Sequence, residues 1–187
     1  MILYLLFAFT SSLNNENCED SLKNFLTNDY IPCGTVSFFL WRIFSVPIFT
    51  ALDSIEVFKL FFNSEYLFGA TSSIISIFTF QEKIYFERLV FEFEWGQNLT
   101  GTGSSNAVYF IDAYINFGYV GVFFTSFFIG ILFRIMKYSN DLALHALWPL
   151  IAFSLYLGSI LGILFSGGGL LMLFVFLIFK FNRNQNK

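Results

Sequence analysis

Charge is what this sequence has least of for its length: 12% of its 187 residues are Asp, Glu, Lys or Arg, against about 25% in an ordinary soluble domain. So little charge cannot cover a globular surface, and the class it implies is integral membrane protein. Histidine occurs once and cysteine twice, which excludes a His- or Cys-rich metal cluster. No basic patch is present to bind nucleic acid, and no phosphate-cradling glycine loop, zinc spacing or nucleophile triad can be read. Neither a metal nor a cofactor is expected. The net charge of −3 decides nothing, because in membrane proteins the placement of Lys and Arg matters more than their sum.

What is present is apolar and aromatic. Phenylalanine alone supplies 29 residues, and they fall in runs long enough to matter: a helix rising about 1.5 Å per residue needs roughly 20 apolar residues to cross a ~30 Å hydrocarbon core. The pattern predicts an all-α, polytopic transmembrane protein of four to five membrane segments in one integral-membrane domain. These are a partial segment at 1–13, a membrane helix at 36–62, an exterior loop with an interfacial segment at 63–105, a membrane helix at 106–136 and a membrane helical hairpin at 143–181. Residues 1–13 are apolar but lack a basic flank and a cleavage site. They read as the tail of a longer helix, so the chain is expected to be a fragment of a larger fold. Cys18 and Cys33 flank a polar loop; a disulfide between them would suit an oxidising compartment, and two unconnected thiols are the favoured expectation.

The segment from Ser104 to Lys137 organises the rest. Its C-terminal half is dominated by Phe, Ile, Leu and Gly and closed by Arg134 and Lys137. Its N-terminal half carries Asn106, Tyr109, Asp112, Tyr114 and Asn116. Tyr109, Asp112 and Asn116 are spaced to share one helix face, and a carboxylate there must meet protein or water rather than lipid. Asp112 reads either as a general base or sugar-hydroxyl acceptor, or as a carboxylate stabilised by the helix macrodipole.

Arg42 is the sharpest single signal. An arginine inside an apolar helix costs roughly 2.5–3.5 kcal/mol on insertion scales, and Pro47 loosens the helix five residues later. It reads equally as a guanidinium for a phosphate or diphosphate and as a snorkelling interfacial residue. Arg88 lies among glutamates and reads first as a solvated ion pair. His145 is assigned to the cytoplasmic interface. Residues 66–80, apolar but rich in Ser and Thr, suit an interfacial or re-entrant segment. Asp53, Glu56 and Lys59 suggest that the end of 36–62 leaves the bilayer as an amphipathic stretch. Gly158, Gly162 and Ser166 repeat every four residues and read as tight helix packing. Basic residues gather at Arg134, Lys137, Lys180, Arg183 and Lys187, so the positive-inside rule puts those ends in the cytoplasm and 81–105 outside.

The order WRIFSVP (Trp41–Pro47), then Phe58–Phe62 leading to YLFGATSSI, then SSNAVYFIDAYINFGYVGVFF resembles the C-terminal half of bacterial oligosaccharide repeat-unit polymerases, the Wzy-type enzymes of O-antigen and capsule assembly. The matching positions are Arg42, Phe44, Pro47, Asn106, Asp112, Tyr114, Asn116, Phe117, Gly118 and Gly121, and the resemblance covers about residues 38–136. It implies a multi-helix, metal-independent glycosyltransferase of the cytoplasmic membrane. Such an enzyme passes a growing chain en bloc from undecaprenyl diphosphate to the next lipid-linked repeat unit on the exterior face. On that resemblance Arg42 and Asp112 are expected to be catalytic, and Arg88, Asn106, Tyr109, Tyr114 and Asn116 to bind substrate. The expected partners are the undecaprenyl-diphosphate-linked oligosaccharide, membrane lipid, a flippase and a chain-length regulator. Alternatives are an O-antigen ligase-like transferase and a non-enzymatic transporter or flippase fragment.

Overall fold

A computed structural model describes residues 25, 26, 30, 32–96, 101–138 and 142–170, with the side chains of 142–145 and 166 outside the description. The described residues are mostly helical and contain no extended strand. Two helices are long and apolar enough to cross a membrane: α1, Gly34–Phe62, and, further along, Tyr109–Tyr138. The expected segment at 1–13 and the hairpin beyond residue 170 lie outside the described residues. The chain divides into two compact units, the first formed by residues up to Glu65 with Tyr85–Ala107, the second by Tyr66–Ile84 with the residues from Val108 on.

In the first unit α1 opens at Gly34, whose φ of +79° a side chain would strain. Cys33, just before it, is disulfide-bonded, which corrects the expectation of an unconnected thiol at this position; whether two cysteines can pair is set by the distance and direction of their Cβ atoms, which spacing in sequence does not reveal. Trp41–Ser45 form a π-turn within α1, with the Val46 N–H bonded to the Trp41 carbonyl. The cause is Pro47, which has no N–H to give and whose ring would meet the carbonyl one turn back. Trp41, Val46 and Phe49 pack with Tyr30 into an aromatic core, against which Phe25 and Phe38 rest. α1 then continues unbroken through Asp53, Glu56 and Lys59 to Phe62. It stops because Asn63 takes the left-handed conformation, φ +49°, and returns its N–H to Phe58, a common helix ending. The charged stretch is therefore a continuation of the same helix.

The remaining elements of the two units follow in chain order. In the second unit, α2 is the short helix Ser73–Thr79, started by the Ser72 hydroxyl accepting from the Ile74 N–H at 3.3 Å. α3, Phe86–Trp95, belongs to the first unit and lies inside the region expected as loop. Phe86, Val90 and Glu94 fall at i, i+4 and i+8, and this face is buried where α3 packs on α1. α4 is Tyr109–Tyr138 and α5 is Leu142–Leu157, packed against each other in the second unit. A π-turn, Gly162–Ser166, follows α5. A cavity of about 370 Å³ opens beside α4 and α5, lined by apolar side chains that include Ile129, Met136 and Leu155.

Candidate functional site

The polar face predicted on the central helix exists, and the structure gives it a partner. α4 is not continuous: Gly118 has φ +65° and ψ −155°, a conformation essentially closed to other residues, and it divides the helix in two. A helix that ends leaves carbonyls without donors. Here the loop after Tyr66 supplies them. The Leu67 N–H donates to the Ile115 carbonyl at 3.1 Å, and the Phe68 N–H to the Asn116 carbonyl at 2.9 Å.

Asn116 completes the joint and is 3% exposed. Its Oδ1 accepts from the Gly69 N–H at 2.9 Å, and its Nδ2 donates to Thr71 Oγ1 at 2.7 Å, to the Asp112 carbonyl at 2.8 Å and to Asp112 Oδ1 at 3.0 Å. Thr71 in turn donates to Asp112 Oδ1 at 3.0 Å. Asp112 and Asn116 thus stand together as the sequence suggests, and the amide of Asn116 is occupied by the chain's own groups. Gly69 has φ +89°, and a Cβ there would meet Ile75 at 2.2 Å. The Ile84 N–H closes the loop on the Ala70 carbonyl at 2.9 Å.

Three tyrosines surround the break. Tyr66 and Tyr114 meet edge to face with ring centroids 6.2 Å apart, and Tyr114 and Tyr119 with centroids 5.2 Å apart. A Cβ on Gly118 would lie 2.8 Å from Cζ and Oη of Tyr66. The missing side chain is what lets that ring settle on the break. Tyr109 is half-buried, with Phe110 edge-on to it at 5.5 Å.

Arg42, Arg88 and Asn106 belong to the first unit. Arg42 is exposed on the π-turn of α1, and no carboxylate among the described residues pairs with it. Arg88 is exposed on α3, its guanidinium 4.7 Å from the centroid of the Tyr85 ring, so the neighbour it meets is an aromatic face. Asn106 is half-buried in the residues before α4.

A carboxyl that sequence reasoning passed over is the most buried acid among the described residues. Glu94 is 7% exposed, and its Oε2 accepts from the Ser105 hydroxyl at 2.7 Å. Ser105 is held there by its own N–H, which donates to the Glu87 carbonyl at 3.0 Å. Burial pushes the Glu94 carboxyl above its ordinary range, and the charge of Asp53 adds to this; the Ser105 and Thr50 hydroxyls and Trp95 oppose it. In sequence Glu94 sits among exposed acids. The available signal was its register, four residues after Val90 and eight after Phe86 on the apolar face. Thr71 and Gly69 had no comparable signal, because their partners lie more than 40 residues away.

None of the known protein families, curated proteins or solved structures matches the chain significantly.

Proposed function

We propose that this chain is a multi-pass component of a bacterial cytoplasmic-membrane polymerase that joins lipid-diphosphate-linked oligosaccharide repeat units. Transfer is en bloc. A hydroxyl at the non-reducing end of the incoming unit attacks the anomeric carbon of the growing chain. The new glycosidic bond forms as the bond to the lipid diphosphate breaks, the hydroxyl proton is taken up by water, and the diphosphate departs with the bonding electron pair and its negative charge. The protein's task in such a reaction is to hold the diphosphate and orient the two sugars. In this reading residues 81–105 lie on the exterior side.

The observation that carries the reading is Arg42: an exposed guanidinium on a π-turn inside a helix apolar enough to cross a membrane. No carboxylate among the described residues pairs with this cation; a guanidinium inside an apolar helix suits an anion, and it binds diphosphate oxygens bidentately. π-Turns also mark functional positions in helices more often than chance.

The test is Arg42→Lys and Arg42→Ala in cells whose polymer depends on this gene. Arg42→Lys shortens the polymer, because a point charge cannot reproduce the planar fork. Arg42→Ala at normal membrane abundance leaves single repeat units on lipid. Wild-type chain lengths in Arg42→Ala would reduce this residue to a snorkelling side chain.

One observation favours a transporter as the second reading, since both long helices are interrupted and transporters build sites from discontinuous helices. Against it, the carbonyls freed at the α4 break are taken by Leu67 and Phe68 and do not await an ion.

A further inference from the structure

The residues expected to recognise sugar on α4 do their hydrogen bonding inward, so the recognising surface must be sought elsewhere on the same joint. Asp112 and Asn116 hold the loop 66–72 through Thr71 and Gly69. Residues two apart on a helix point to nearly opposite sides, so Tyr114 faces away from both. There it meets Tyr66 and Tyr119. Tyr119 is 79% exposed and Tyr66 40%.

We propose that Tyr66, Tyr114 and Tyr119 form a pyranose-binding corner, in which a sugar ring of the repeat unit stacks on the exposed rings and hydrogen-bonds to their phenols. The inference rests on the polymerase reading and names the part of the joint that touches carbohydrate. Its basis is geometric. The rings do not lie parallel: Tyr66 and Tyr114 are inclined by 86°, and Tyr114 and Tyr119 by 65°. Such a corner offers ring faces and polar edges together. A pyranose is its complement, with C–H groups on one face and hydroxyls around its rim. Phenols both donate and accept, as sugar hydroxyls require. The corner is also built into the break, because only glycine at 118 admits the Tyr66 ring and the loop hydrogen bonds fix its height. Tyrosines that merely anchor a helix at a membrane surface need no such mutual packing; each acts singly, ring in the interface and hydroxyl in water.

The test uses the full chain in lipid nanodiscs and saturation-transfer NMR with the methyl β-glycosides of glucose, galactose and N-acetylglucosamine. At least one glycoside receives saturation at its ring C–H protons. Tyr119→Ala, a change at an exposed side chain, lowers that signal roughly tenfold, while Tyr119→Phe keeps most of the stacking and lowers it about twofold. Equal signals from wild type and Tyr119→Ala, or none from any glycoside, would overturn the corner. Tyr119→Trp reports the alternative. Its added fluorescence shifts with sugar if the corner binds carbohydrate; quenching by brominated acyl chains with no sugar response makes the position a lipid anchor and sinks the proposal. Polymer in cells separates this inference from the one beneath it. If deleting the gene leaves polymer unchanged, the polymerase reading falls and the corner falls as its substrate site. If polymer needs the gene yet survives Tyr119→Ala at normal abundance, only the corner falls.

Discussion

α1 and α4 have nearly the same length, 29 and 30 residues, and both lose their regular helical bonding partway along. In α1 the cause is local. Pro47 removes a donor, the backbone widens into a π-turn over Trp41–Ser45, and Val46 re-satisfies the Trp41 carbonyl within the same helix. In α4 the cause is distant. Gly118 takes a conformation no side chain tolerates, and the freed carbonyls find donors in Leu67 and Phe68, nearly 50 residues earlier. In an environment without water every backbone group needs an internal partner. The first helix heals itself, whereas the second is repaired by another part of the chain. The first interruption ought therefore to be dispensable for folding and the second essential.

The largest expected effect breaks the α4 joint. Gly118→Ala places a Cβ 2.8 Å from the Tyr66 ring and forces an L-residue into a region almost restricted to glycine. The backbone alone should cost about 2–3 kcal/mol, with the displaced ring in addition. The protein should show a sharply lowered thermal midpoint in detergent and lose amide-exchange protection at Leu67, Phe68 and Gly69. Adding Tyr66→Ala relieves the ring contact but not the backbone strain, so it recovers only part of the loss. Full recovery would mean that the conformation of Gly118 is not the controlling feature.

The intermediate effect concerns the partner of α1. Glu94 is raised by burial first and by the Asp53 charge second, so the native state binds its proton more tightly than the unfolded chain does. The stability gained from protonation is complete below the unfolded value, about 4.3, and is lost as pH rises through the higher native value. The wild-type midpoint should therefore fall from about pH 4 towards neutral. Glu94→Gln keeps the shape without the charge; it should flatten that dependence and be the more stable form at neutral pH. Melting curves across this range decide the point, and a variant as pH-dependent as wild type would show that another group titrates.

The smallest effect is expected at α1 itself. Pro47→Ala returns a helical N–H, and the π-turn can relax to regular helix, which turns Arg42 by about 100° relative to the residues after it. Stability should change by about 1 kcal/mol or less, moving the midpoint by roughly 2–4 °C at most, while any phosphate-dependent function of Arg42 suffers. Thermal melts alongside polymer analysis separate the two. A collapse in stability would show that the interruption in α1 is as structural as the one in α4.

Much of this protein was already legible along the chain. Low charge and long Phe-rich runs specify apolar helices, because backbone bonding within a helix is local and the apolar side chains need only length and composition to qualify. The pairing of Asp112 with Asn116 was readable too, since residues four apart meet on one face. Tertiary structure decided what those residues do. Asn116 is bonded to Gly69 and Thr71 across 47 and 45 positions, a closure that no local pattern encodes. Glu94 looks like one acid among several until α3 turns its face to α1 and buries it. The physical reason is the same in both cases: a polar group's role is set by which partner replaces its water, and that partner is delivered by the fold.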